Sequence, residues 1–196
     1  MADDNPQAIV LAGPNGAGKS TAAPRLLRDA LAVDQFVNAD AIAEGPFRLR
    51  SETAAIEAGR IMLKRLAELA FKRVNFAFET TLASRTFVPW LEKLTASGWR
   101  VHLIFLALPN AETAMGRVET RVRLGGHNVP EDVVRRRFAA GLRNFFQLYG
   151  SIATSWLFYD NSWPARPILL AKGASNHVKA IDRQLYRQFS REHVND

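Results

Sequence analysis

The sequence predicts an α/β protein of three layers, with helices on both faces of a mostly parallel β-sheet. Three observations predict it. Short apolar runs, such as residues 8–12 and 101–108, read as strands buried on both faces. Longer segments between them carry apolar residues at three- and four-residue spacing, the helical period. The two kinds of segment alternate, with no internal repeat, low-complexity tract or Pro/Gly-rich linker, so residues 1–196 are expected to form one domain.

The first strand, residues 8–12, stops at glycine, and a helix should begin near Gly18 and run to about residue 32. Pro24 is tolerated there only close to the first turn. Phe36-Val37-Asn38 is a second short strand. Ser51 can cap a helix reaching about residue 72, whose buried face is Ala58, Met62, Leu66 and Leu69. Residues 74–78 form a third strand, and residues 87–97 a helix closed by Gly98. Residues 101–108 are apolar enough to be central. A helix follows from 111 to about 124, ahead of Gly125-Gly126. Pro130 opens the next, with Glu131 and Asp132 in its first turn, and it runs to Tyr149. Residues 155–159 are a fifth strand, 168–170 a small sixth, and 177–189 a final helix.

Composition narrows the function. The chain has 47% hydrophobic and 23% charged residues, no cysteine and a net charge of +7. The missing cysteines exclude disulfides, thiolate metal sites and cysteine catalysis. The N-terminus, Met1-Ala2-Asp3-Asp4-Asn5, is acidic and has no signal-peptide pattern, and no run approaches the roughly 20 apolar residues of a membrane helix. A cytoplasmic protein without a membrane partner is expected. Of the 26 basic residues 20 are arginine, whose donor fork matches phosphate oxygens. No aromatic-basic interleaving of the kind that stacks nucleic-acid bases accompanies them, so nucleic acid is not the expected partner.

Gly13-Pro14-Asn15-Gly16-Ala17-Gly18-Lys19-Ser20 matches the Walker A pattern G-x-x-x-x-G-K-[ST], and Thr21 follows. It sits after an apolar strand and opens a helix, the context the motif requires. The glycines permit a tight loop whose backbone N–H groups face phosphates, and the helix start adds a positive dipole end. Lys19 would reach the β- and γ-phosphates of ATP, and the Ser20 hydroxyl would ligate Mg²⁺. The fold expected is therefore a P-loop NTPase of the nucleoside-kinase type.

The other strand ends decide what happens to the γ-phosphate. Asp40 follows the second strand and could take a proton from an attacking hydroxyl, or cap a short helix at residues 41–44. Glu79 ends the third strand in Phe78-Glu79-Thr80-Thr81-Leu82. An acid beside two hydroxyls there suits binding of a substrate hydroxyl or work around Mg²⁺, and its bland alternative is a helix cap by Thr80 or Ser84. No Asp follows residues 101–108 in the Walker B manner, so Glu79 is the best acid near the metal. Arg117 and Arg121 share one helix face, and Arg123 and His127 flank Gly125-Gly126. Arginines on a mobile segment can close over the charge of a transferring phosphoryl group, although a solvated face is the commoner fate of any one of them. His102 lies within an apolar strand and reads as a satisfied core residue.

Taken together these segments resemble the zeta toxin family of P-loop kinases, in particular its small stand-alone bacterial branch, the predicted ABC-type ATPases. The resemblance spans about residues 9–162. It is carried by Gly13 to Thr21, Asn38-Ala39-Asp40, Phe78-Glu79-Thr80-Thr81-Leu82, the helix from Arg117 to Arg123, Gly125-Gly126-His127-Asn128-Val129-Pro130-Glu131-Asp132, Arg135-Arg136-Arg137-Phe138 and Tyr159-Asp160-Asn161-Ser162. Zeta toxins transfer the ATP γ-phosphate to a hydroxyl of UDP-N-acetylglucosamine, and an antitoxin protein is the partner such a resemblance implies. By it, Lys19 and Ser20 match the nucleotide and Mg²⁺ positions, Asp40 the catalytic base, Glu79 and Thr81 the amino-sugar contacts, and Arg117 the first catalytic arginine. His127 stands where the family carries a second arginine, leaving Arg121 or Arg123 to supply that charge. Ala83-Ser84 stands where an arginine follows the strand-end acid, so phosphoryl-transfer residues match more fully than those for a charged nucleotide sugar. The expectation is an ATP- and Mg²⁺-dependent kinase of a small hydroxyl-bearing metabolite. Its alternatives are an ATP hydrolase or switch without an acceptor, and a nucleic-acid end kinase.

Overall fold

Apolar residues in β1 (Gln7–Ala12) and β4 (Arg100–Ala107) are buried at consecutive positions, so both faces of the central strands are covered. The structure is a computed structural model that describes residues 5–24, 33–39, 42, 52–126, 128–163, 166–174 and 177–194. Between these strands lie α1 (Lys19–Ala23), β2 (Gln35–Val37), α2 (Glu52–Phe71), β3 (Phe76–Thr80) and α3 (Val88–Ala96). Then come α4 (Ala111–Arg123), α5 (Glu131–Asn144), β5 (Ser155–Asp160), β6 (Ile168–Ala174), β7 (His177–Ala180) and α6 (Arg183–Val194). The sheet order is β2-β3-β1-β4-β5-β6-β7; the first five strands are parallel, and the β5–β6 and β6–β7 pairs are antiparallel, so only β6 runs against the rest. It is the mostly parallel P-loop α/β fold that the sequence predicts.

Register explains the core. Phe105 of β4 lies opposite Phe158 of β5, and their rings stack with centroids 5.3 Å apart. Phe145 and Trp156 join this cluster from α5's continuation and from β5. Phe76 and Phe78, two residues apart and so on one face of β3, meet Trp90, Phe87 and Trp99 in a second aromatic group. After Asn144 the α5 helix loosens into a π-helical segment, Phe145–Tyr149, that directs Phe145 and Tyr149 into the interior.

The third strand runs over Phe76–Thr80 rather than residues 74–78, and two further boundaries correct the sequence reading. The sixth strand extends to Ala174 rather than ending at Leu170, and residues 177–180 are strand, not helix. Pairing with β6 decides this, with Ala174 opposite His177 and Ala171 opposite Ala180. The last helix starts instead at Arg183, where the Asp182 carboxylate accepts the Leu185 N–H at 3.0 Å as an N-cap. The predicted stretches 25–32 and 43–51 lie outside the described residues. Among the described residues, no helix is long and apolar enough to cross a membrane.

His102 is satisfied, as read from its apolar strand, but it is half-buried at the edge of the core rather than inside it. Its Nδ1 shares a 2.8 Å hydrogen bond with Ser155 Oγ. Burial first, and the Arg100 charge second, hold its pKa below the ordinary value of 6.5. An unfolded chain therefore binds the proton more readily, so this contribution to stability is present above about pH 6.5 and is lost as the pH falls below it. Thermal unfolding at pH 7.5 and 5.5 should show the midpoint of the native chain dropping further on acidification than that of His102→Gln. Equal drops would mean that burial of this ring carries no such cost.

Candidate active site

Among the described residues, the Walker A loop and Glu79 lie together at the carboxyl ends of the parallel strands, where open α/β sheets bind ligands. Strand β1 ends at Ala12, and the Gly13 N–H bonds Thr80 O at the neighbouring end of β3 (3.3 Å). The chain then wraps through Ala17 N–H to Pro14 O (3.1 Å) and enters α1 at Lys19. Gly16 has φ +76°, and a Cβ there would stand 2.7 Å from Ala114 O of α4. The loop therefore packs too closely against α4 for a side chain at that position.

Lys19 folds back into this loop. Its Nζ donates to Gly13 O (2.8 Å) and Pro14 O (3.0 Å) and lies 3.6 Å from Glu79 Oε1, with the side chain only 6% exposed. A buried ammonium is tolerable because these oxygens surround it. The other Glu79 oxygen, Oε2, accepts from Ser20 Oγ (2.8 Å) and from Asn38 Nδ2 (3.0 Å). One carboxylate thus ties together the ends of β2 and β3 and the start of α1. Beyond β2 the Ile42 N–H bonds Asn38 O at 3.1 Å. Asp40 lies outside the described residues, as does His127.

A cleft of about 240 Å³ opens beside these groups, lined by Asn15, Gly16, Gly18, Lys19, Ser20, Thr21, Glu79, Arg117 and Arg121. It brings together the phosphate loop, the strand-end acid and two of the arginines singled out in the sequence. Arg117 donates from Nη2 to Ser162 O (2.6 Å) and from Nη1 to Gly16 O (3.5 Å). Burial lowers its pKa, while the Asp160 carboxylate nearby opposes that shift. Arg123 is not in the cleft: it is exposed and forms a 3.5 Å ion pair with Glu119 one turn back. A larger cleft of about 390 Å³, beside Trp156, Lys172 and Lys179, contains none of the motif residues.

Hard oxygen donors suit Mg²⁺, which takes one or two protein oxygens and completes its shell with water and phosphate. The Ser20 hydroxyl and Glu79 carboxylate, 2.8 Å apart and bordering the cleft, fit that chemistry.

The loop after Glu79 is held from the other side. Thr80 Oγ1 accepts from Leu82 N–H (3.1 Å) and Thr81 Oγ1 from Ala83 N–H (3.4 Å), so both hydroxyls shape the loop. Leu82 is fully buried with φ +56°, a conformation unfavourable for a branched side chain. The buried Asn144 of α5 holds it there, donating from Nδ2 to Leu82 O (2.7 Å) and Ala83 O (3.2 Å). The Tyr149 hydroxyl donates to Ser84 O, and burial pushes its pKa up to about 12, so it stays protonated. Gly141 admits the contact, since a Cβ there would stand 2.3 Å from Thr81 O. Sequence reasoning missed Asn144 and Tyr149, and it gave Asn38 no role of its own. A polar residue inside an amphipathic helix carries no local sign of a partner 62 residues away.

The sequence profile of the zeta toxin family matches residues 1–153. The chain belongs to the zeta toxin family. An uncharacterized protein of Haemophilus influenzae is 31% identical over 133 residues, covering 67% of this chain and 92% of that protein. A chain of the AvrRxo1-ORF1:-ORF2 complex solved with ATP has a similar fold, with a TM-score of 0.71 at 16% identity. That likeness covers 95% of this chain, which spans only 64% of the AvrRxo1 chain's length. A chain from the PezAT chromosomal toxin-antitoxin system of Streptococcus pneumoniae matches with a TM-score of 0.60 at 15% identity, over 100% of this chain and 90% of that one.

Asn144→Ala would leave Leu82 O and Ala83 O without their buried donor. The expected cost is about 1–3 kcal/mol, read as a fall of several degrees in the thermal midpoint. An unchanged midpoint would show that this side chain does not hold the loop.

Proposed function

We propose that the chain is an ATP- and Mg²⁺-dependent kinase that moves the γ-phosphoryl group to a hydroxyl of a small metabolite. The observation that carries this reading is the joining of Lys19, Ser20 and Glu79 at the mouth of one cleft, beside a Walker A loop. Membership of the zeta toxin family supports the kinase class and makes UDP-N-acetylglucosamine the first acceptor to try. The sequence departs from the family at His127 and at Ala83-Ser84, which leaves room for a different acceptor.

In this reading backbone N–H groups of residues 13–21 hold the β- and γ-phosphates, and Lys19 balances their charge. Ser20 and Glu79 would hold Mg²⁺, which supplies positive charge to the phosphate oxygens when bound. Asp40 takes the proton from the attacking hydroxyl as its oxygen bonds the γ-phosphorus and the bond to the ADP oxygen breaks. Arg117 and Arg121, both lining the cleft, face the charge that develops on the transferring group. Arg123, paired with Glu119 at the surface, is left out of the assignment. A protein partner of the antitoxin kind is part of the proposal, supported by the toxin-antitoxin context of the PezAT structure.

The test is transfer of label from γ-labelled ATP with Mg²⁺, offered UDP-N-acetylglucosamine, a bacterial metabolite extract or an RNA oligonucleotide. Label should appear on a small metabolite, and Lys19→Ala and Asp40→Asn should each lower the rate by at least about a hundredfold. Label on the oligonucleotide would make the chain a nucleic-acid end kinase. Release of free phosphate alone, unchanged by Asp40→Asn, would make it a hydrolase.

A further inference from the structure

Where β5 ends, the segment Asp160-Asn161-Ser162 meets the phosphate loop. Asn161 N–H bonds Ala107 O (2.9 Å), which extends the pairing of β4 and β5 by one residue. Its side chain is 4% exposed, and its Nδ2 donates to Ala17 O at 2.7 Å. That nitrogen lies 3.0 Å from where a Cβ on Gly18 would stand. The other end of the carboxamide, Oδ1, is buried without a hydrogen-bond partner. An unpaired buried oxygen is unfavourable. Anchorage of β5 alone would not require it, because the backbone bond to Ala107 already provides that.

The single side-chain bond has a directional consequence. In a trans peptide the C=O and N–H point to opposite sides. Drawing Ala17 O toward Asn161 turns the N–H of the same peptide, that of Gly18, the other way. Gly18 lines the cleft that also contains Lys19 and Ser20. Arg117 strengthens the strap through Ser162 O, and the Ser162 N–H bonds Asp160 Oδ1 (2.8 Å).

We propose that Asn161 is a positioning residue for nucleotide binding: by holding the Ala17 carbonyl it aims the Gly18 N–H at a bound phosphate. The inference rests on the reading of residues 13–21 as a phosphate-binding loop. Asn161 does not itself line the cleft, so it acts through the peptide it holds. Substitution should therefore separate stability from affinity. Asn161→Ala strips Ala17 O of this donor but removes the unpaired oxygen as well, so the two effects on the fold partly offset and the Gly18 N–H is left free to turn. Asn161→Asp keeps the shape, loses the donor and sets a carboxylate against Ala17 O.

The experiment is calorimetric titration of the full chain with ATP and Mg²⁺, well below the thermal midpoint of every protein compared. Thermal midpoints are recorded alongside, with Lys19→Ala as control. Asn161→Ala should bind ATP about tenfold more weakly than the native chain, with a midpoint lowered by no more than a few degrees, and Asn161→Asp should bind more weakly still. If Lys19→Ala loses ATP while both Asn161 variants bind it as the native chain does, the inference is overturned and the phosphate-loop reading stands. A lowered midpoint with unchanged ATP affinity would equally reduce Asn161 to a structural anchor. Native chain and Lys19→Ala alike in their response to ATP would overturn the phosphate-loop reading, and this inference with it.

Discussion

The Glu79 carboxylate is the constraint on which the site depends. It accepts hydrogen bonds from Ser20 and Asn38 and lies beside the Lys19 ammonium, so three segments far apart in sequence converge on two oxygens. Lys19 needs this neighbour, because a cation 6% exposed is costly unless oxygens surround it. The sheet supplies the placement. Parallel pairing sets Leu11 opposite Glu79 and Ala12 opposite Thr80, so the loop after β1 emerges at the level of the acid that ends β3. Moving β3 by one residue would turn Glu79 to the other face of the sheet.

Around that centre the protein fixes backbone more than side chains. Asn161 holds Ala17 O, Arg117 reaches Gly16 O, and Lys19 holds Gly13 O and Pro14 O. Each anchored carbonyl fixes a peptide plane, and a phosphate loop works through its peptide planes. On the opposite side Asn144 and Tyr149 hold the carbonyls of Leu82, Ala83 and Ser84, which keeps Leu82 in its unfavourable conformation. Both clamps are side chains donating to loop carbonyls, charged groups and an amide on one side and an amide and a hydroxyl on the other, an arrangement that favours a pre-formed cleft over one assembled by its ligand.

The parts legible in the sequence are those set by local chemistry. The Walker A loop needs glycines at fixed offsets, and β4 is apolar at every buried position, so both could be read directly. Glu79 was recognisable as an acid near the phosphate loop because it lies at the carboxyl end of a strand. The β6–β7 pairing was not legible: four residues of mixed polarity at 177–180 resemble the start of the following helix until a partner strand is known. The choice between Arg121 and Arg123 was equally closed, since it depends on how α4 is rotated against the phosphate loop. Asn144 and the Ala17 bond of Asn161 are contacts across 62 and 144 residues, and nothing in their neighbours in sequence announces them.

The central claim is that Glu79 joins Lys19 and Ser20 into one site for Mg²⁺ and phosphate. Its most direct test is the Mg²⁺ dependence of ATP affinity in the native chain and in Glu79→Gln, which removes the charge and preserves the shape. The account predicts that Mg²⁺ strengthens ATP binding in the native chain and that this gain shrinks by about tenfold or more in Glu79→Gln. An equal gain from Mg²⁺ in both proteins would contradict it and place the metal elsewhere.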